Sequence, residues 1–254
     1  MTVPLVPRQV LFGNPERVSP RISPDGRRLA WIAPDEGVLN VWVNEVGAPL
    51  EQAAPVTKDR DRGIRSYFWA HDNRHLLYIQ DTGGDENWRL FDVDLDTGTT
   101  RDLTPFEGVQ ARVEDTDKHF PDTILVGLNR DNPQLHDVYR LDLPSGELEK
   151  IVENPGLVGF LADADLRVRG GLAARPDGGM VIMVRDTEQA EWRPLLEYGQ
   201  DDSLTTYPVA FTLDGRSMWI LSSVGANAGG LAKLDVATGA IEVVAEDPHY
   251  DVAG

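Results

Sequence analysis

Apolar and polar residues alternate with a period of two in short runs along most of the chain, and a turn signal closes each run. In "FDVDLDTG", Phe91, Val93 and Leu95 alternate with Asp92, Asp94 and Asp96 ahead of a Thr-Gly pair. That is the pattern of a strand with one buried and one wet face running into a turn. The phrase returns as "LDLPSG" ending at Gly146, 48 residues after the first, and as "LDVATG" ending at Gly239, 93 residues after the second. The period is therefore about 47 residues with one copy skipped near residue 193, where "EWRPLLEY" (191–198) reads as a degenerate copy.

A second phrase keeps similar time: "SPDGRRLAWIA" from Ser23, "AHDNRHLLYIQD" from Ala70, "RPDGGMVIMVRD" from Arg175 and "TLDGRSMWILSS" from Thr212, with a stretched copy from Thr116. In each of the four, an Asp-Gly or Asp-Asn pair supplies residues that tolerate positive φ, and an apolar, β-rich stretch follows. Middle strands lie between the two phrases, as in "NVWV" (40–43) and "NWRLFDV" (87–93). Short strands at this period, without a convincing helix, predict an all-β fold: a β-propeller of four-stranded blades. Five blades are expected, at 17–57, 62–104, 109–153, 157–206 and 207–247, with 248–254 beginning another. An open strand edge after a fifth blade would be an aggregation hazard, so the expectation is a partial propeller, cut short.

Composition narrows the function. Acidic residues outnumber basic ones 42 to 24, for a net charge of −18, which disfavours nucleic acid. The chain has no cysteine, so disulfides and thiolate metal sites are excluded. The first twenty residues lack a charged start followed by an apolar run, and no stretch approaches a membrane span. A cytoplasmic protein without membrane contact is expected.

Candidate chemistry is sparse. Asp92, Asp94 and Asp96 could supply three carboxylates to calcium, but an EF-hand loop wants glycine sixth and glutamate twelfth, where Thr97 and Leu103 stand. They read instead as solvated strand positions entering a turn. "GRSMW" is the nearest approach to Gly-x-Ser-x-Gly, with Trp219 in place of the second glycine, so Ser217 reads as a strand residue. His71, His75, His119, His136 and His249 lack metal-site spacing and read as surface or turn histidines. Trp31, Trp42, Trp69 and Trp219 fall in or beside strands and read as packing between blades. No cofactor or metal is expected.

The wording of Phe12–Val43 and of Tyr78–Pro105, above all "GGDENWRLFDVDLDTG", resembles the N-terminal propeller of the prolyl oligopeptidase family of serine peptidases, in particular its acylaminoacyl-peptidase and dipeptidyl-peptidase branch. The resemblance implies a seven-bladed propeller, of which about five blades are present, followed by an α/β-hydrolase domain carrying a Ser, Asp, His triad. None of those catalytic residues has a matching position here. It also implies partners: a C-terminal hydrolase domain of the same parent chain and a peptide substrate. In "GGDENW" (83–88), Asp85 and Glu86 could meet a peptide amino terminus, as propeller acids do in the dipeptide-trimming branch, although no Glu-Glu pair occurs in the chain. The plainer reading is a solvated loop joining two strands. Two functions follow: a substrate-gating propeller, inactive by itself, or a free-standing TolB-like propeller that binds a protein or peptide.

Overall fold

The computed structural model describes residues 5–252 and places among them twenty strands in five four-stranded antiparallel sheets, each of consecutive strands. The first sheet holds β1 (Val18–Ile22), β2 (Arg28–Asp35), β3 (Val38–Glu45) and β4 (Ala54–Pro55). The second holds β5 (Tyr67–Trp69), β6 (His75–Gln80), β7 (Arg89–Asp94) and β8 (Thr99–Asp102). The third holds β9 (Ala111–Thr116), β10 (Thr123–Asn132), β11 (Leu135–Asp142) and β12 (Leu148–Val152). The fourth holds β13 (Gly159–Ala162), β14 (Val168–Ala174), β15 (Met180–Val184) and β16 (Arg193–Tyr198). The fifth holds β17 (Tyr207–Phe211), β18 (Ser217–Ser222), β19 (Gly230–Asp235) and β20 (Ile241–Ala245). Among the described residues helix is confined to α1 (Arg8–Phe12) and two single 3-10 turns, Leu50–Gln52 and Gln200–Asp202.

The repeated "LD…G" phrase is one turn built three times, between the third and fourth strands of a sheet. Gly98, Gly146 and Gly239 take φ of 69°, 74° and 73°, and their amides donate to the carbonyls of Asp94, Asp142 and Asp235 at 2.7, 2.7 and 2.8 Å. The aspartate carboxylate closes the turn from inside, accepting from the amides of Asp96, Ser145 and Thr238 at 3.0, 2.9 and 2.8 Å. Aspartate repeats because its short side chain reaches backbone two and three residues on, and glycine repeats because the turn needs positive φ.

The second phrase forms the first turn of sheets one, two and five, where Gly26, Asn73 and Gly215 take φ of 75°, 62° and 65°. In the fourth sheet the structure corrects the expectation. "RPDGG" joins β14 to β15, one turn later than its counterparts, and the first turn is Asp163–Arg167. An Asp-Gly pair fits any tight strand turn, so the dipeptide did not say which one. In that first turn Leu166 occupies the position of Gly26, donating its amide to Asp163 O at 2.9 Å with φ of 52°.

The chain divides into two compact units, Met1–Arg112 and Val113–Gly254. In the first, Ala30, Ile32 and Val41 of sheet one pack against Tyr67, Trp69, Leu76, Tyr78 and Val93 of sheet two. Two of these buried aromatics have their polar tips satisfied: Tyr67 Oη–H donates to Ser19 O at 2.7 Å and Trp69 Nε1–H to Arg21 O at 3.1 Å. In the second unit, Leu125, Val138 and Val152 meet Leu166 and Val168, and Ile182, Val184 and Tyr198 meet Phe211, Met218, Ile220 and Leu234. Within each unit the sheets therefore pack face to face. Of the four tryptophans singled out above, Trp31 and Trp69 are buried, and Trp42 and Trp219 are half-buried.

Residues 248–252 form no strand, and 253–254 lie outside the described residues. The tail turns back to the loop before β19, where Val252 N–H donates to Gly229 O at 2.8 Å. Ala111 N–H makes the same bond to Trp88 O, at 2.7 Å, where the chain enters β9.

Candidate functional site

The loop between β6 and β7, residues 81–88, is anchored at its root by a buried charge. Asp81, almost wholly buried, pairs through Oδ1 with Arg62 Nε at 3.1 Å. The Arg62 guanidinium then lies so close to Gly84 that a Cβ there would meet Nη1 at 2.5 Å, and Gly84 has φ of 88°. The positive φ favours glycine at 84, and a side chain there would push the Arg62 guanidinium aside.

The two acids at the tip differ in what they can do. Asp85 Oδ1 accepts from the amides of Thr82 and Asn87 at 3.2 and 3.1 Å, and Oδ2 from Asn87 Nδ2 at 3.2 Å. Partial desolvation pushes its carboxyl up, and the bonds from Asn87 and Thr82 outweigh that and hold it below the usual range. Asp85 is thus spent on shaping the loop. Glu86 is exposed, sits at φ of 59°, and its carboxylate makes no hydrogen bond or ion pair among the described residues. Its backbone is fixed instead: its N–H reaches Asp81 Oδ2 at 3.4 Å and its carbonyl accepts from Gln110 Nε2 at 3.1 Å. A free carboxylate on a held, left-handed residue is an acceptor ready for a cationic group.

At the other end of the same two sheets lies a cleft of about 640 Å³, lined by Asp25, Arg28, Glu45, Asp72, Arg74 and Asp96 among others. Asn73 ties its two walls together, its Oδ1 accepting from Asp25 N–H at 2.7 Å and its carbonyl from Arg28 Nη1 at 3.2 Å. Arg74 grips Asp94 through Nε and Nη2 at 2.9 and 2.5 Å, which holds the Asp94 carboxyl far below the usual range. Much of the cleft's charge is therefore already neutralised in place.

Two expectations are corrected here. Asp92 and Asp94 are not solvated: Asp92 is 0% exposed, and both are ion-paired. Asp92 faces Arg101, with Nη2 to Oδ2 at 2.6 Å, and His75 Nε2 stands 3.7 Å from the same oxygen. Nor is His75 a surface histidine, for it is buried and its Nδ1 lies 2.5 Å from Asp72 Oδ2. The missed signal was charge pairing: Arg101 stands opposite Asp92 in the β7–β8 ladder, so a buried aspartate could be matched. Among the described residues no group of three or more His, Asp or Glu is set to hold a metal ion. Ser217 lies in β18, buried, its amide donating to Thr212 Oγ1 at 3.1 Å.

No family model matches the chain. The sequence is 44% identical over 251 residues to dipeptidyl aminopeptidase BIII of Pseudoxanthomonas mexicana, an alignment covering 98% of this chain and 36% of that protein. The resemblance to the prolyl oligopeptidase family holds in sequence and in fold. The chain spans about a third of the length of the curated relatives it matches, 36% and 33%. In structure it is similar to prolyl oligopeptidase B of Galerina marginata, with a TM-score of 0.61 and 14% identity over 89% of this chain and 33% of that one. TolB from Acinetobacter baumannii gives 0.53 and 15%, over 89% and 56%. At such identities the likeness is one of fold, and the fold class is the β-propeller that the repeat predicted. No helix among the described residues is long and apolar enough to cross a membrane.

Proposed function

We propose that this chain is the substrate-gating propeller of a prolyl-oligopeptidase-type serine peptidase acting on short peptides. The observation that carries the reading is the 44% identity to a dipeptidyl aminopeptidase along nearly all of the chain. On this reading the Ser, Asp, His triad belongs to a C-terminal hydrolase domain of a longer parent, and the propeller limits which peptides reach it. The Val252 to Gly229 hydrogen bond supports further sheets after residue 254, because the same bond leads into β9 at Ala111. Blades at 17–57, 62–104, 109–153, 157–206 and 207–247 would then be the first five of seven, in a cytoplasmic enzyme.

Glu86 is the residue we assign to the peptide amino terminus, with Asp85 shaping the loop that presents it. The free Glu86 carboxylate supports the assignment. In the parent enzyme, Glu86→Ala should raise KM for dipeptide release about tenfold while kcat changes little, the loss of one charge-assisted hydrogen bond of about 1.5 kcal/mol. An unchanged KM removes Glu86 from the site. For the chain itself, a fluorophosphonate probe should leave it unlabelled, and stoichiometric labelling would show a nucleophile within it. The TolB likeness favours a second reading, a free-standing module that binds a protein or peptide. Reading the transcript past the Gly254 codon separates the two: two more blades and a Gly-x-Ser-x-Gly segment support the peptidase, and an immediate stop supports the binding module.

A further inference from the structure

Two glutamates of the first unit stand in the left-handed region, each between the second and third strands of its sheet. Glu36, between β2 and β3, has φ of 52°, and Glu86, between β6 and β7, has φ of 59°. A side chain in that region is held there by its surroundings, because a relaxed chain leaves it. For Glu36 the hairpin does this: Glu36 and Gly37 form a tight turn closed by the pairing of Asp35 with Val38. Its carboxylate is used as well, with Oε2 3.5 Å from Arg60 Nε. Glu86 lies in a longer loop that imposes no such turn, and its carboxylate has no partner among the described residues.

What holds Glu86 is therefore its own backbone groups. Its N–H reaches Asp81 Oδ2 at 3.4 Å, long for a hydrogen bond, and the other oxygen of Asp81 is engaged by Arg62. Its carbonyl accepts from Gln110 Nε2 at 3.1 Å, which is the better bond of the two. Gln110 is fixed in turn, since the N–H of the next residue, Ala111, donates to Trp88 O at 2.7 Å. Two carbonyls of the loop, at Glu86 and Trp88, are thus clasped by two neighbouring residues where the chain enters β9.

We propose that Gln110 is a positioning residue for the peptide: its side-chain amide holds the left-handed backbone of Glu86 and so aims the free carboxylate at the peptide amino terminus. The inference rests on the assignment of Glu86 made above and adds the group that turns an exposed acid into a fixed acceptor. A loop ordered before binding has less freedom to lose when the ammonium arrives, so a residue that orders it raises affinity without touching the ligand. Asp81 is buried and ion-paired, and replacing it would disturb the root of the loop. Gln110 is neutral and only half-buried, so its donor can be removed by itself.

Gln110→Met keeps the length of the side chain and removes the donor. In the 254-residue chain, glutamyl endopeptidase should cut after Glu86 about fivefold faster in Gln110→Met than in the unmodified chain, and after Glu36 at the same rate in both. In the parent enzyme, Gln110→Met should raise KM for dipeptide release about fivefold with kcat unchanged, the weight of one neutral hydrogen bond, and should add nothing in a Glu86→Ala background. Unchanged cutting after Glu86 overturns the proposal, because Gln110 then does not hold the loop. So does a KM that rises equally with and without Glu86, because Gln110 would then act on the peptide by itself. If Glu86→Ala raises KM and Gln110→Met does not, the amino-terminal site stands and its positioning by Gln110 falls. If Glu86→Ala leaves KM unchanged, the site falls and the positioning with it. Should Gln110→Met loosen the whole chain, seen as faster cutting after Glu36, then Gln110→Glu, which keeps the shape and loses the donor, decides by the same comparison of cutting rates.

Discussion

Leu166 shows how two residue-scale costs compete. Its φ of 52° lies in the left-handed region, where a side chain costs about 1–2 kcal/mol. The same side chain is 2% exposed and packs in the cluster with Leu125, Val138 and Val168. Truncating a buried leucine to alanine costs about 2–5 kcal/mol, so packing wins and the strain is kept. An inverted order follows: Leu166→Ala loses the packing and keeps the strain, while Leu166→Gly loses the packing and relieves it. In urea, Leu166→Gly should be the more stable of the two by about 1 kcal/mol, against glycine's usual penalty. Alanine emerging as the more stable would show that the turn is not strained in solution. Nothing in the sequence marks this site, because "DADLR" lacks the glycine that flags its counterparts.

Among elements, the turns were legible and the burial of charge was not. Asp94, Asp142 and Asp235 were picked out because each precedes a glycine at the same distance, and a chemical requirement repeated three times leaves a visible trace. Asp92 and His75 escape a reading of alternation, which assigns polar residues to the wet face, because each is buried against a charged partner. The fourth sheet was misregistered for a related reason: its Asp-Gly turn is real but sits one hairpin late. At the candidate site, the loop and its two acids were legible, but which acid is free depends on Asn87 and Thr82, whose bonds no spacing rule predicts.

The turn aspartates also fix how the elements respond to acid. The carboxyls of Asp25, Asp142, Asp214 and Asp235 are held below their ordinary value, chiefly by hydroxyl donors from Ser23, Ser145, Thr212 and Thr238, and Asp94 by Arg74. A group whose folded value is depressed adds stability that is complete above the unfolded value and is lost as pH falls through the folded one. Stability should hold down to about pH 4, the ordinary carboxylate range, and fall steeply below it. Asp115 acts in the opposite sense, since burial raises its carboxyl, but it stands against these five and against Asp85 and Asp131, which are also held low. Urea midpoints between pH 7 and pH 3 check this. Asn at 142, 214 and 235 should lower stability at pH 7 and flatten the acid limb, and an unaltered limb would place the acid sensitivity elsewhere.

For the whole molecule the governing quantity is 42 acidic residues against 24 basic ones. Salt has two opposed effects on such a chain, since it screens the repulsion of a net charge of −18 and also weakens the ion pairs. Burial decides between them. The pairs that matter most, Asp92 with Arg101 and Asp81 with Arg62, place the carboxylate out of solvent, where screening is weak. The open ones, such as Arg167 with Asp165, are worth about 0–1 kcal/mol before any salt is added. Repulsion among exposed carboxylates is what salt can reach. The Tm should therefore rise as sodium chloride goes from about 10 to 200 mM, over which the screening length shrinks from about 30 Å to under 10 Å. Calorimetry at pH 7 across that range of salt checks this. A Tm that falls with salt would mean that exposed ion pairs hold more of the stability than their geometry grants them.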